Sequence, residues 1–132
     1  MLTKPLGTQV AVNLHQWMNL STPSWQIAKD LISPDDVISR YNDATISMTT
    51  LNLAAAKLMH VHGAHAATDV TGFGLLGHSR NLAEFQTADV DFSIHTLPIL
   101  AGFGKLCKEL VAAGARNFKL LEGLSSETSG GS

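Results

Sequence analysis

A chain of 132 residues is the size of one domain and is long enough to bury a hydrophobic core. Only 15% of its residues are charged and 45% are hydrophobic. Typical globular chains carry roughly 25% charged residues, so we expect a surface that is partly apolar or covered by other protein. The net charge of −2, with nine Lys and Arg residues scattered singly, argues against nucleic acid or a membrane as a partner. No secretory leader or bilayer-spanning run is predicted, and we expect a soluble cytoplasmic protein.

The first part of the chain predicts helices separated by turns. A helix is expected over residues 9–18, after Gly7, although its first apolar residues alternate as they would in a strand. Residues 19–23 are expected to form a turn. The Ser-Pro-Asp-Asp run at 33–36 predicts the start of a second helix. Serine caps a helix, proline suits its first position, and acids there suit the helix dipole.

A long helical pattern follows from Asp43 to His62, and Gly63 is expected to end it. One face of this pattern is apolar, and we expect that face to pack in the core. Its residues are Leu51, Ala54, Ala55, Leu58 and Val61. A further helix is expected over residues 72–85.

Residues 89–95 alternate between apolar and polar side chains, which predicts a half-buried strand. A last helix is expected to begin near Pro98 and to end at Gly114. Its core face would comprise Ile99, Phe103, Leu106, Cys107 and Leu110. Cys107, the only cysteine, is therefore interpreted as a core residue rather than a nucleophile. One strand cannot form a sheet, so we expect the chain to be incomplete.

The stretch 65–78 contains the main candidate site. Asp69 is the only carboxylate between Asp43 and Glu84, and it lies in an apolar segment rich in glycine. Either Asp69 or Thr71 could cap the helix that follows. Alternatively, Asp69 could offer a hard oxygen ligand to Mg²⁺ while the amides at the helix start face a phosphate. The residues alone leave both roles open.

Glycines near this site spell Gly-x-Gly-x-x-Gly at Gly72, Gly74 and Gly77. A dinucleotide-binding fingerprint would need a strand before it, and the preceding helical pattern leaves little room for one. We favour a tight entry to the helix and close packing. The Ser-Gly-Gly run at 129–131 could be an anion-binding nest, but its Ser-, Thr- and Gly-rich context favours a flexible tail.

Histidines near the same site suggest a zinc cluster at His60, His62 and His65. His60 and His62 would point to different faces of a helix end, and no cysteine accompanies them. Surface and helix-end roles are therefore favoured. His78 and His95 are interpreted as single histidines that are hydrogen-bonded or exposed rather than catalytic.

Residues 65–82 read His-Ala-Ala-Thr-Asp-Val-Thr-Gly-Phe-Gly-Leu-Leu-Gly-His-Ser-Arg-Asn-Leu. This segment closely resembles the signature of selenophosphate synthetases, also called selenide, water dikinases. Three further segments resemble the same family: Leu-Thr-Lys-Pro-Leu-Gly-Thr-Gln at 2–9, Ile-His-Thr-Leu-Pro at 94–98 and Glu-Thr-Ser-Gly-Gly at 127–131. The resemblance covers nearly the whole chain, and its spacing is similar to the eukaryotic type.

The resemblance implies a fold of the AIR-synthase-like superfamily. Residues 1–132 would be its C-terminal domain, an α/β (α+β) domain with helices packed on a mixed sheet. The domain would be truncated in this chain. The N-terminal catalytic domain would be absent, and a further strand would follow Gly131.

Selenophosphate synthetases make selenophosphate, AMP and phosphate from ATP, selenide and water. In this resemblance Asp69 matches an aspartate that helps to hold Mg²⁺ at the ATP phosphates. Thr71 and Gly72 lie beside it, and we expect them on the phosphate side. The family's reactive Cys or selenocysteine lies in the N-terminal domain, so we expect no catalytic residue in this chain and no activity from it alone. The full-length protein is expected to be a homodimer.

Two alternative functions stay open. The chain could come from another ATP-using enzyme of the AIR-synthase superfamily, such as an aminoimidazole ribonucleotide synthetase or a thiamine-phosphate kinase relative. It could also belong to a non-catalytic selenophosphate-synthetase-like protein that acts through interactions.

Overall fold

A computed structural model describes residues 2–71 and 74–116 of the chain. The helices in these residues are α1 (Thr8–Asn19), α2 (Pro23–Ala28), α3 (Pro34–Thr49), α4 (Leu53–Val61), α5 (Gly74–Glu84) and α6 (Phe103–Ala112). None of them is long and apolar enough to cross a bilayer. The described residues fall into two compact units: residues 2–51 with 97–116, here called the core unit, and residues 52–71 with 74–96, here called the motif unit.

Local signals fix the helix starts of the core unit. α1 begins directly after Gly7, as predicted. The Ser33 hydroxyl accepts a hydrogen bond from the Asp36 amide at 3.1 Å, which confirms the predicted cap of α3. Thr22 caps α2 in the same way, with Pro23 at the first helical position. The predicted turn at 19–23 is therefore shorter than expected, because α1 still includes Asn19 and α2 already begins at Pro23.

Buried apolar side chains stabilise the core unit. The largest of those that are fully buried are Val10, Leu14, Val37, Phe103, Cys107 and Leu110. α1 packs against α2 and α3, and the ring of His15 on α1 stacks on that of Tyr41 on α3 with centroids 3.9 Å apart. The predicted core face of α6 is confirmed from Phe103 to Leu110. Burial of Cys107 confirms its interpretation as a core residue.

The start of α6 was predicted wrongly. The helix begins at Phe103, because the preceding residues pair with the beginning of the chain. The Leu6 amide donates to the Pro98 carbonyl at 2.8 Å, and the Leu100 amide donates to the Leu6 carbonyl at 2.9 Å. This is a parallel bridge between Leu6 and Ile99. Backbone pairing of residues 98–100 with Leu6 thus takes the place of the predicted first turn of the helix.

The predicted mixed sheet is not formed within residues 2–71 and 74–116. The bridge between Leu6 and Ile99 is isolated, and residues 89–95, predicted as a strand, adopt no strand structure. Their apolar residues Val90 and Phe92 are exposed. A strand needs a hydrogen-bonding neighbour, and no other described segment pairs with this one. The structure thus supports the helices of the predicted fold but not its sheet.

The prediction of one long helix from Asp43 to His62 was also wrong. α3 ends at Thr49, α4 begins at Leu53, and Thr50 between them is extended. The Thr49 hydroxyl donates to the Thr45 carbonyl at 2.9 Å, and the Thr50 hydroxyl donates to that of Ile46 at 2.8 Å. Threonine hydroxyls that bond to the backbone compete with helix propagation, and a run of them favours an end.

The helix α4 of the motif unit buries none of its residues. Its apolar stripe was predicted to pack in the core, but Val61 is 76% exposed and Leu58 is half exposed. Gly63 follows the end of the helix, as predicted. The prediction of a core face was therefore wrong for the described structure, even though Leu53–Val61 is helical.

Candidate functional site

Residues 64–71, here called the Asp69 segment, connect α4 to α5 without regular secondary structure. The Thr68 hydroxyl donates to the Asp69 carbonyl at 3.1 Å. The Asp69 side chain is exposed, and within the described part of the chain its carboxylate has neither a hydrogen bond nor an ion pair. Such a carboxylate can act as a hard oxygen ligand for a divalent cation.

Thr71, at the end of the segment, is held by His78 of α5. The Thr71 amide donates to His78 Nε2 at 3.0 Å, and the Thr71 Oγ1 lies 3.2 Å from the same nitrogen. His78 is buried, with 8% of its surface exposed. Because a backbone amide can only donate, Nε2 is the acceptor and the neutral imidazole carries its proton on Nδ1. The candidate segment is therefore tied to the helix that follows it.

The entry to α5 depends on Gly74. Its φ of 69° lies in the left-handed region that favours glycine. Its amide donates to the Thr71 carbonyl at 2.9 Å. These observations support the interpretation that glycines here allow a tight helix entry. Gly72, which was predicted on the phosphate side, lies outside the described residues.

The hydrogen bonds at this helix start limit what a phosphate could contact. Amides from Thr71 to Gly74 were expected to face it, but the amides of both Thr71 and Gly74 are bonded within the protein. The Thr71 hydroxyl can rotate, so it can turn towards a phosphate more readily than these two amides can. Among the described contacts, neither it nor the Asp69 carboxylate accepts a hydrogen bond from an amide of α5.

The other histidines do not assemble around this segment. His60, His62 and His65 are exposed, and the described residues contain no group of three or more His, Cys, Asp or Glu placed to hold a metal. His95 bonds locally, with Nδ1 2.8 Å from the Thr96 hydroxyl. Sequence reasoning treated His78 as a single histidine and missed its link to Thr71. The signal was its position four residues into a helix that begins shortly after Thr71.

An open cleft of about 680 Å³ lies beside the first half of the Asp69 segment. Residues His65–Thr68 line one part of it. The rest is lined by Asn81 and Leu82 of α5 and by residues 85–88 and 90, which follow that helix. No acid, lysine or arginine lies among these lining residues. The side-chain polar groups that line the cleft are those of His65, Thr68, Asn81, Gln86 and Thr87.

Cys107 belongs to the core unit, whereas the Asp69 segment belongs to the motif unit. Desolvation by burial raises the pKa of its thiol. A raised pKa keeps the thiol protonated at neutral pH, and the thiolate is the nucleophilic form. The structure therefore supports a packing role for Cys107 and gives it no nucleophilic character.

Residues 1–131 match the sequence family described as AIR synthase related protein, C-terminal domain. The chain belongs to this family. Its curated relatives include selenide, water dikinase 3 of Danio rerio, 54% identical over 130 residues, and selenide, water dikinase 2 of Homo sapiens, 53% identical over 130 residues. Each alignment covers 98% of this chain and 28% of the relative.

A third relative of this AIR-synthase-related domain matches it to a similar extent. Selenide, water dikinase of Dictyostelium discoideum is 52% identical over 131 residues, which is 98% of this chain and 34% of that protein. The chain thus spans about a third or less of the relatives that it matches. The predicted resemblance to selenide, water dikinases is confirmed.

Proposed function

We propose that this AIR-synthase-related domain is the C-terminal part of a selenide, water dikinase. The full-length enzyme would make selenophosphate, AMP and phosphate from ATP, selenide and water. The observation that supports this most is the 52–54% identity to three such proteins across 98% of the chain. Identity at this level over a whole domain is difficult to reconcile with an unrelated activity.

We propose Asp69 as one oxygen ligand of Mg²⁺ at the ATP phosphates. Its exposed carboxylate, without a protein partner among the described residues, fits a hard cation. When bound, Mg²⁺ neutralises charge on the phosphate oxygens. The Thr71 hydroxyl and Gly72 would lie on the phosphate side. One carboxylate does not make a complete coordination sphere, so phosphate oxygens, water and groups beyond the described residues would supply the remaining ligands.

The proposed enzyme would be a cytoplasmic homodimer, and this chain alone would be inactive. No residue of the chain is assigned a catalytic role. The bridge between Leu6 and Ile99 would belong to a mixed sheet that further strands complete. The exposed apolar residues of the motif unit support this proposal, since a completed domain would cover them.

The test is phosphorus-31 NMR of the natural full-length protein with ATP, Mg²⁺ and selenide. We expect selenophosphate, AMP and phosphate in equal amounts, none of them without selenide, and no turnover by the 132-residue chain alone. Formation of ADP with a different phosphorylated acceptor would instead support another AIR-synthase-superfamily enzyme. No selenide-dependent turnover would contradict the dikinase assignment and support a non-catalytic interaction protein.

A further inference from the structure

We propose that His78 is a positioning residue for the Asp69 segment. Its neutral imidazole, protonated on Nδ1, would hold the Thr71 amide and so fix the direction of the carboxylate two residues earlier. This inference rests on the proposed role of Asp69 as a Mg²⁺ ligand. It adds a residue that contacts neither metal nor nucleotide but sets the geometry of one that does.

The local geometry assigns the hydrogen bond to the backbone rather than to the hydroxyl. Neutral Nε2 has one lone pair, and two donors lie near it: the Thr71 amide at 3.0 Å and the Thr71 hydroxyl at 3.2 Å. The amide proton cannot turn away, whereas the hydroxyl proton rotates freely. The amide therefore takes the lone pair, and the Thr71 hydroxyl stays available to a ligand.

The Asp69 segment needs such an anchor because it lacks regular structure. Its last residue is fixed at two points, by the bond from the Thr71 amide to His78 and by the bond from the Gly74 amide to the Thr71 carbonyl. Both attach the segment to α5. His78 is buried on that helix, so its ring holds Thr71 at a fixed position relative to α5. A site binds its metal ion less tightly when the groups that orient the metal ligands are removed.

Three substitutions separate the hydrogen bond from the packing. His78→Leu fills the buried site but removes the acceptor. His78→Gln restores an acceptor oxygen near the position of Nε2. His62→Leu is the matched control, because His62 is an exposed histidine of the same unit.

The first measurement is NMR of the natural full-length protein, labelled with nitrogen-15 only at histidine and threonine. We expect His78 as the Nδ1-protonated tautomer and a Thr71 amide protected from hydrogen exchange. Exchange of that amide should accelerate about tenfold in His78→Leu, as for the loss of one ordinary hydrogen bond. It should recover in His78→Gln and stay unchanged in His62→Leu. An Nε2-protonated His78, or an unchanged Thr71 amide in His78→Leu, would overturn the proposal.

The second measurement is the Mg²⁺ concentration that gives half-maximal ATP consumption. We expect His78→Leu to raise it about tenfold, in the range for residues that orient metal ligands, and His78→Gln to restore it towards the wild-type value. If exchange at Thr71 changes but the Mg²⁺ requirement does not, His78 does not position a metal ligand. If replacing Asp69 leaves ATP consumption unaltered, the proposed function fails, while the NMR result still decides the link between His78 and Thr71.

Discussion

The two units of this chain differ in how much of their apolar surface they bury. The core unit encloses large side chains completely, such as Leu14 and Leu110, whereas α4 of the motif unit buries none of its residues. The motif unit also exposes Phe85, Phe92 and Val61. Burial of apolar surface is the main favourable term in folding, so it stabilises the core unit more than the motif unit.

This difference separates the elements that stabilise the chain from those that carry the candidate site. Helix caps, a bridge between distant segments and a packed cluster all lie in the core unit. Asp69, Thr71 and His78 all lie in the motif unit. The candidate segment therefore lies on the unit whose helix α4 buries no residue.

The largest expected effect comes from removing a core aromatic side chain. Phe103 is 1% exposed, and the Arg40 guanidinium lies over its ring at 5.3 Å. Phe103→Ala should lower the free energy of unfolding by about 3–5 kcal/mol, because it leaves a cavity and removes this contact. The matched control is Phe85→Ala in the motif unit, where the side chain is 87% exposed. Its effect should stay within about 0.5 kcal/mol.

Urea unfolding followed by circular dichroism measures both variants. Equal losses of stability would contradict the contrast between the units, because they would show that Phe85 is as well packed as Phe103.

A smaller effect is expected at Gly102, in the turn before α6. Its φ is 75°, and a Cβ there would lie 2.5 Å from Nη1 of Arg40, which donates to the Ala101 carbonyl. Gly102→Ala should cost about 2 kcal/mol, from the left-handed backbone and from displacement of the guanidinium.

Gly114 is the matched control for this substitution. Its φ is 76°, and a Cβ there would meet nothing within 4 Å. Gly114→Ala should therefore show only the backbone penalty of about 1 kcal/mol. Thermal unfolding measures the loss of stability in both variants. An equal loss would mean that displacing the Arg40 guanidinium does not lower stability.

The smallest of these effects should come from the cap of α3. Ser33→Ala removes the acceptor for the Asp36 amide and should cost about 1 kcal/mol. Ser39 lies exposed within the same helix, and Ser39→Ala should be neutral or slightly stabilising. Differential scanning calorimetry of the pair is the check. No difference between them would show that the cap is dispensable.

Local signals in the sequence predicted the helix starts at Ser33 and after Gly7 correctly, because a cap or a breaker acts within a few residues. The start of α6 could not be predicted in this way. Residue 98 pairs with Leu6, more than ninety positions earlier, and no local pattern encodes that contact. The break after Thr49 depends on hydroxyl-to-carbonyl bonds that compete with an otherwise continuous helical pattern.

The candidate site, too, was predicted from the sequence only in part. Asp69 and Thr71 were identified from their residue types and their isolated position before a glycine-rich helix start. The bond between Thr71 and His78 was missed, since it depends on where α5 begins and on which face of it is buried.

The most direct test of the proposed site compares two aspartates of the motif unit in the natural full-length protein. Asp69→Asn removes the charge at the proposed Mg²⁺ ligand, and Asp91→Asn removes one from an exposed position of the same unit. Selenide-dependent ATP consumption is measured across a Mg²⁺ titration. We expect Asp69→Asn to raise the Mg²⁺ requirement or lower the rate by at least about tenfold, and Asp91→Asn to match the wild type. Identical Mg²⁺ curves for all three proteins would contradict the assignment of Asp69 as a metal ligand.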